Sequence, residues 1–155
     1  MKKEDLYNIA WCIRNEVEKC QEHGYFEFFP NAFCALSSIW IYDILKLHKA
    51  QGEEIEIRQK RRFYNDFPHT WVHYNGFDID ITGDQFNDAN LPKVYVGKHN
   101  KMYHQFDNIT SKHVLFPTEF VTKLTYYKRL DDSVETLYKN LNIDVKLFYK
   151  IEPEH

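Results

Sequence analysis

The chain has 155 residues, a formal charge of -3 and an aromatic share of 17%, with Gly and Pro at only 5 each. That length suits one domain around a single substantial core, the aromatic content argues against a disordered tail, and the slight negative charge gives no reason to expect a nucleic-acid partner. No stretch approaches the roughly 18 apolar residues of a membrane span, and the start has no apolar run of signal-peptide length, so the expectation is a cytoplasmic protein with no membrane partner.

Residues 3–22 predict a first amphipathic helix, because Leu6, Ile9, Ile13 and Val17 recur at helical spacing and Gly24 is placed to end it. Cys12 and Cys20 fall within it and read as small core residues. Together with Cys34 they make an odd count without a CxxC pair, which suits reduced thiols and not a disulfide framework. In "YFEFFPN", Pro30 disfavours helical geometry at Phe29, so the chain is expected to be extended there. "NAFCALSSIWIYDILKLHKAQG" carries the strongest helix signal. Asn31 serves as N-cap, Leu36, Ile39, Trp40, Ile44 and Leu47 form its apolar face, and Gly52 closes it. Cys34 then lies in or near the first turn.

"EIEIRQK" alternates as a strand does. The run Arg58-Gln59-Lys60-Arg61-Arg62 reads as a solvated strand end or loop, with a phosphate contact as its functional alternative. A hairpin follows in "FPHTWVHYNGFDIDIT", since both central residues of a two-residue type I′ turn need positive φ and Asn75-Gly76 supplies them. Counting outward from that turn, Tyr74 faces Phe77, His73 faces Asp78, Trp71 faces Asp80 and His69 faces Thr82. His69, Trp71, His73, Asp78, Asp80 and Thr82 therefore share one face, while Thr70, Val72, Phe77, Ile79 and Ile81 share the other. "PKVYVG" predicts a further strand and "KHNKMYHQFDNITSKH" a long surface loop. "DDSVETLYKNL" predicts a helix capped by Asp131 or Asp132, and "IDVKLFYKI" either a strand or a docked tail. The expected architecture is α+β, with helices packed on a small antiparallel sheet in one domain spanning 1–155.

The apolar face of the hairpin suits packing on helices, which leaves the titratable face to solvent or to a site. Two His/Asp pairings are available there, His73 directly opposite Asp78 and His69 diagonal to Asp80. The second lies at the open end, where another element can meet it, and the first beside the turn, where exposure to water is expected. A metal reading of "HTWVH" needs a helix, because in a strand the two histidines are roughly 13 Å apart. A nucleophile completes the other reading. Cys34 at a helix N-terminus would meet unpaired N–H groups and the positive end of the helix dipole, which favour a thiolate. The bland alternative is one more small buried residue on a core helix.

A cysteine heading a helix, followed by "HTWVHYNGFDIDIT" on a hairpin, resembles the transglutaminase-like and papain-like cysteine hydrolases. The resemblance covers about residues 30–86, including "DQF" after the second strand, with Thr70 where Ala is usual and Ile81 where Pro is usual. It implies Cys34 as nucleophile, His69 as general base and acid, Asp80 as the residue orienting the imidazole, and an α+β core with the nucleophile at a helix N-terminus. An oxyanion hole would join the Cys34 N–H to a side-chain donor, for which Gln85 and Asn31 are the nearest polar candidates. The implied reaction is hydrolysis or acyl transfer at an amide of a peptide, protein or small molecule, with no metal or organic cofactor. The alternative is a binding module that keeps this fold without the reaction.

Overall fold

Alternating buried positions in two helices and a twisted hairpin account for most of the architecture. The computed structural model describes residues 1–22, 26–48, 51–62, 68–99, 101–104, 106 and 139. Helix α1 spans Lys3–Lys19 and buries Leu6, Ala10, Ile13 and Val17, the stripe expected of one helical face; a 3-10 turn, Cys20–Glu22, continues it. Cys20 is buried with that stripe, but Cys12 is exposed, because its position points away from the sheet. Gly24 lies outside the described residues.

Residues 26–32 form consecutive turns and not the extended segment expected, with Phe29 N–H donating to Phe26 O at 2.9 Å and Asn31 N–H to Phe28 O at 2.8 Å. Helix α2 therefore begins later than Asn31, at Cys34, and runs to His48. Phe33 takes the capping position, its carbonyl accepting the Ser37 N–H at 2.9 Å, while Asn31 stands exposed in the preceding turn. Leu36, Ile39, Trp40 and Ile44 are buried as expected, whereas Leu47 is 45% exposed in the last turn. Gly52 adopts φ +88 in the turn before the first strand.

Four strands, β1 (Ile55–Lys60), β2 (His69–Tyr74), β3 (Phe77–Asp80) and β4 (Tyr95–Gly97), pair antiparallel in sequence order. Asn75 and Gly76 both have positive φ, and the register pairs Val72 with Ile79, His73 with Asp78 and Tyr74 with Phe77. The expected hairpin turn and faces are those observed. Helix α2 packs on β1 and β2 while α1 packs on β3 and β4, so Val72, Tyr74, Ile79 and Ile81 join the helices in the main core.

The opposite face of the sheet is covered too, which the sequence reading did not anticipate. Trp71, Leu91, Tyr103 and Phe106 form a second apolar cluster there, with Phe86, Ala89 and Tyr95 packed against it. Tyr103 belongs to a short helix, α3 (Lys101–His104), and both Tyr103 and Phe106 are fully buried. Tyr103 and Phe106 are thus in part a cover for the hairpin, because their rings find more apolar surface on Trp71 and His69 than in water. The helix expected around Asp131 and the closing "IDVKLFYKI" lie outside the described residues, apart from helical Lys139.

Buried Arg14 ties α1 to the chain leaving β3. Its guanidinium donates to Ile81 O at 2.7 Å, holds Asp84 bidentately at 2.8 and 2.9 Å, and packs over the Phe29 ring at 4.5 Å. The bidentate geometry on a buried guanidinium holds the segment after Asp80 in place, although Asp84 itself is 23% exposed.

Candidate active site

The N-terminus of α2 abuts the first residues of β2. Cys34, the first residue of the helix, is 8% exposed; His69 and Asp80 are 0% and 2% exposed. His69 Nε2–H donates to Asp80 Oδ2 at 2.7 Å, and the imidazole lies near enough to Cys34 to act on its thiol. The structure therefore brings Cys34, His69 and Asp80 into one chain of contacts. Cys34 Sγ also lies 3.8 Å from Pro68 O, a weak acceptor for a thiol proton, while the Thr70 backbone N–H is positioned to donate to the sulfur.

Electrostatics favour moving the thiol proton onto the imidazole. Burial opposes a charged thiolate, but the hydrogen bond and charge of His69 and the Thr70 N–H outweigh it and hold the Cys34 thiol below its ordinary value, against a smaller opposing push from Asp80. The start of the helix acts in the same direction. Burial likewise opposes an imidazolium, yet the Asp80 carboxylate and Cys34 overcome it and push His69 up to about 10. Burial raises the Asp80 carboxyl, but His69, the Thr82 N–H and the Tyr103 hydroxyl outweigh it and keep the group below its ordinary value. The preferred state is a thiolate–imidazolium pair backed by a carboxylate.

Asp80 is held at both oxygens. Oδ1 accepts from Thr82 N–H at 2.8 Å and Thr82 Oγ1 at 3.1 Å, while Oδ2 accepts from the Tyr103 hydroxyl at 2.9 Å as well as from His69. Tyr103 is the residue that sequence reasoning missed, since "KHNKMYHQF" carries no periodicity that would announce a buried ring. The His69 ring sits among Trp71, Phe86, Tyr103 and Phe106, with centroids between 4.9 and 6.5 Å away, and these rings exclude water from the imidazole.

Of the two oxyanion candidates, Gln85 approaches the site and Asn31 faces water. Gln85 lies in a 3-10 turn, Gly83–Gln85; its Nε2 donates to Thr82 O at 2.9 Å and comes within 3.3 Å of His69 Nδ1, on the Cys34 side of the ring. Asn31 is exposed in the turn before α2.

Asp78 is no surface residue, contrary to the expectation for its end of the hairpin. It is fully buried and accepts from His73 Nδ1 at 2.7 Å, His99 Nδ1 at 2.6 Å and Arg58 at 3.4 Å. The two hairpin histidines thus answer to different carboxylates. Among the described residues no group of three or more His, Cys, Asp or Glu side chains is arranged to hold a metal ion. The basic run is partly neutralised, with Arg58 also on Glu56 and Arg62 on Asp88 at 2.8 Å. A cavity of about 470 Å³ opens between α2 and β1, lined by Tyr42, Lys46, Glu53, Glu56 and His73 among others, and none of Cys34, His69 or Asp80 borders it.

Among the described residues, no helix is long and apolar enough to cross a membrane. No protein-family model, no curated protein and no solved structure matches the chain.

Proposed function

We propose that the protein is a thiol-dependent hydrolase or acyl transferase of the transglutaminase-like or papain-like kind, acting in the cytoplasm on an amide of a peptide, protein or small molecule. The observation that carries this reading is the buried His69–Asp80 pair at 2.7 Å beside Cys34 at the helix start, with the imidazole acting on the thiol. A core cysteine that merely fills space has no use for an imidazole on its sulfur or a carboxylate behind that imidazole.

The chemistry follows from the proton's position. The Cys34 thiolate attacks the amide carbon, forming an S–C bond as the carbonyl electron pair moves to oxygen. The donors assigned to that oxyanion are the Cys34 backbone N–H and the amide of Gln85, whose Nε2 lies 3.3 Å from His69 Nδ1. His69 then gives its Nδ1 proton to the leaving nitrogen, the C–N bond breaks, and the oxyanion collapses to a thioester. Water or an amine completes the cycle by losing a proton to His69 as it attacks the thioester, and the S–C bond breaks to restore the thiolate beside an imidazolium. Asp80 keeps the ring in the orientation that both transfers need. No metal or organic cofactor has a role in these steps.

An activated ester tests the reading without knowledge of the natural substrate. Mixing the protein with p-nitrophenyl acetate should release a stoichiometric burst of nitrophenolate and add one acetyl group at Cys34, located by peptide mass. Cys34→Ala and His69→Ala should both lose the burst. Acetylation confined to exposed Cys12 or to lysines, with Cys34 unmodified, would instead favour a binding module that keeps the fold.

A further inference from the structure

We propose that Tyr103 is a positioning residue that tempers the Asp80 carboxylate, so that His69 can release its proton as well as hold it; this rests on the Cys34–His69–Asp80 reading above. The Tyr103 hydroxyl and His69 Nε2 share one acceptor, Asp80 Oδ2, at 2.9 and 2.7 Å. The other carboxylate oxygen is already occupied by two donors from Thr82. Asp80 consequently receives four hydrogen bonds, about the full capacity of a carboxylate.

The hydroxyl is not needed to fill space. Tyr103 packs on Trp71 and Tyr95 with centroids 5.7 and 4.9 Å away, contacts that a phenylalanine ring would keep. What the oxygen adds is a donor that cannot ionise, because burial and then the Asp80 charge hold the phenol well above its ordinary range. That donor stabilises Asp80 most when His69 is neutral and the carboxylate charge is uncompensated. When His69 is protonated, the imidazolium already neutralises the carboxylate, and the phenol contributes less. Tyr103 therefore favours proton loss from His69 and opposes the pull of Asp80. Without it the imidazolium would be a weaker acid toward the leaving nitrogen. Asp80 and Cys34 are the titratable groups acting directly on His69, and Tyr103 acts through the first of them.

The test is a ¹⁵N-histidine NMR titration of His69 in the full chain carrying Tyr103, Tyr103→Phe or 3-fluorotyrosine at position 103. The phenylalanine variant should move the His69 transition up by about one pH unit, and the fluorinated ring, a stronger donor of nearly the same shape, should move it down by about half a unit. Opposite shifts are not what a merely space-filling ring would produce. An imidazolium in the unsubstituted protein at pH 7, with both variants titrating at the same point as it does, would overturn the role of Tyr103 and leave the triad reading standing. A neutral His69 at pH 7 that neither variant shifts would overturn both. Should the phenylalanine variant fail to fold, the fluorotyrosine shift alone decides, and its absence counts against the proposal.

Discussion

Replacing Cys34 by Ala should introduce a pH dependence of stability that the intact protein lacks between pH 6.5 and 9. His69 is raised from 6.5 to about 10, so its contribution is complete below pH 6.5 and is lost as pH rises through about 10. Cys34 is lowered from 9.0, so its contribution is complete above pH 9.0 and is lost as pH falls through its depressed value. Below pH 9.0, and above both pH 6.5 and the depressed value of Cys34, the folded pair carries one proton, on His69, and the unfolded chain also carries one, on Cys34. Folding then takes up no net proton from this pair, and the pair adds no slope. Without the sulfur, folded His69 still holds a proton against Asp80 while the unfolded imidazole does not. Each pH unit can then cost up to about 1.4 kcal/mol, and with His69 held by Asp80 alone the total loss relative to the intact protein is about 2–3 kcal/mol by pH 9. Urea unfolding of both proteins at several pH values and fixed ionic strength measures this, because every other titrating group cancels in the difference. A stability difference that stays constant from pH 6.5 to 9 would refute the ion pair.

Two further outcomes follow from the same geometry. Asp80→Asn places an amide NH₂ against either the His69 and Tyr103 donors or the Thr82 donors; burst acylation should fall by about three to four orders of magnitude, whereas Asp78→Asn, which loosens His73 and His99, should cost about 1–3 kcal/mol in urea unfolding and spare most of the acylation rate. Equal loss of acylation in the two variants would sink the assignment of Asp80. Gly83→Ala would bring a Cβ within 2.9 Å of Leu91 Cβ and Pro92 O and 3.3 Å of Asp80 Oδ2, so the variant should lose about 1–3 kcal/mol and show a slower burst, and an unchanged melting temperature would contradict the packing behind Asp80.

The hairpin was legible in the sequence because its determinants are local. Asn75-Gly76 sets the turn, period-two alternation sets the faces, and the register pairing His73 with Asp78 follows from counting. The meeting of Cys34 with His69 was not a matter of spacing, since 35 positions separate them; only the order of elements in the resemblance pointed to it. Other misreadings share one cause, a tertiary contact outweighing a local preference. Asn31 is a good cap by type, yet the turns through Phe29 and Pro30 delay the helix to Cys34. "KHNKMYHQF" looks solvated by composition, yet Tyr103, in a helix of 4 residues too short for periodicity to reveal, and Phe106 beyond that helix find the apolar surface beside His69.

The second face of the hairpin links cover and chemistry. Asp78 and Asp80 are both buried, and each draws a donor from residues 98–106, His99 for the first and Tyr103 for the second. Two carboxylates taken from water would be costly without such donors. The donors arrive with Tyr103 and Phe106, which close the space over His69 and lower the local dielectric. In that setting the attraction between Asp80 and His69 strengthens, and so does the preference of the proton for the imidazole over the thiol. The segment that excludes water from the pair is therefore anchored by the carboxylates whose influence it increases. A change that frees residues 98–106 should weaken the Cys34 thiolate without touching Cys34, His69 or Asp80. A double replacement, His99→Gln with Phe106→Ala, which leaves the Tyr103 hydroxyl on Asp80, puts this to measurement through the pH profile of iodoacetamide alkylation of Cys34 in a Cys12→Ser, Cys20→Ser background. The midpoint of the alkylation profile should rise by about one pH unit. An unchanged midpoint would mean that the cover and the charge pair are independent.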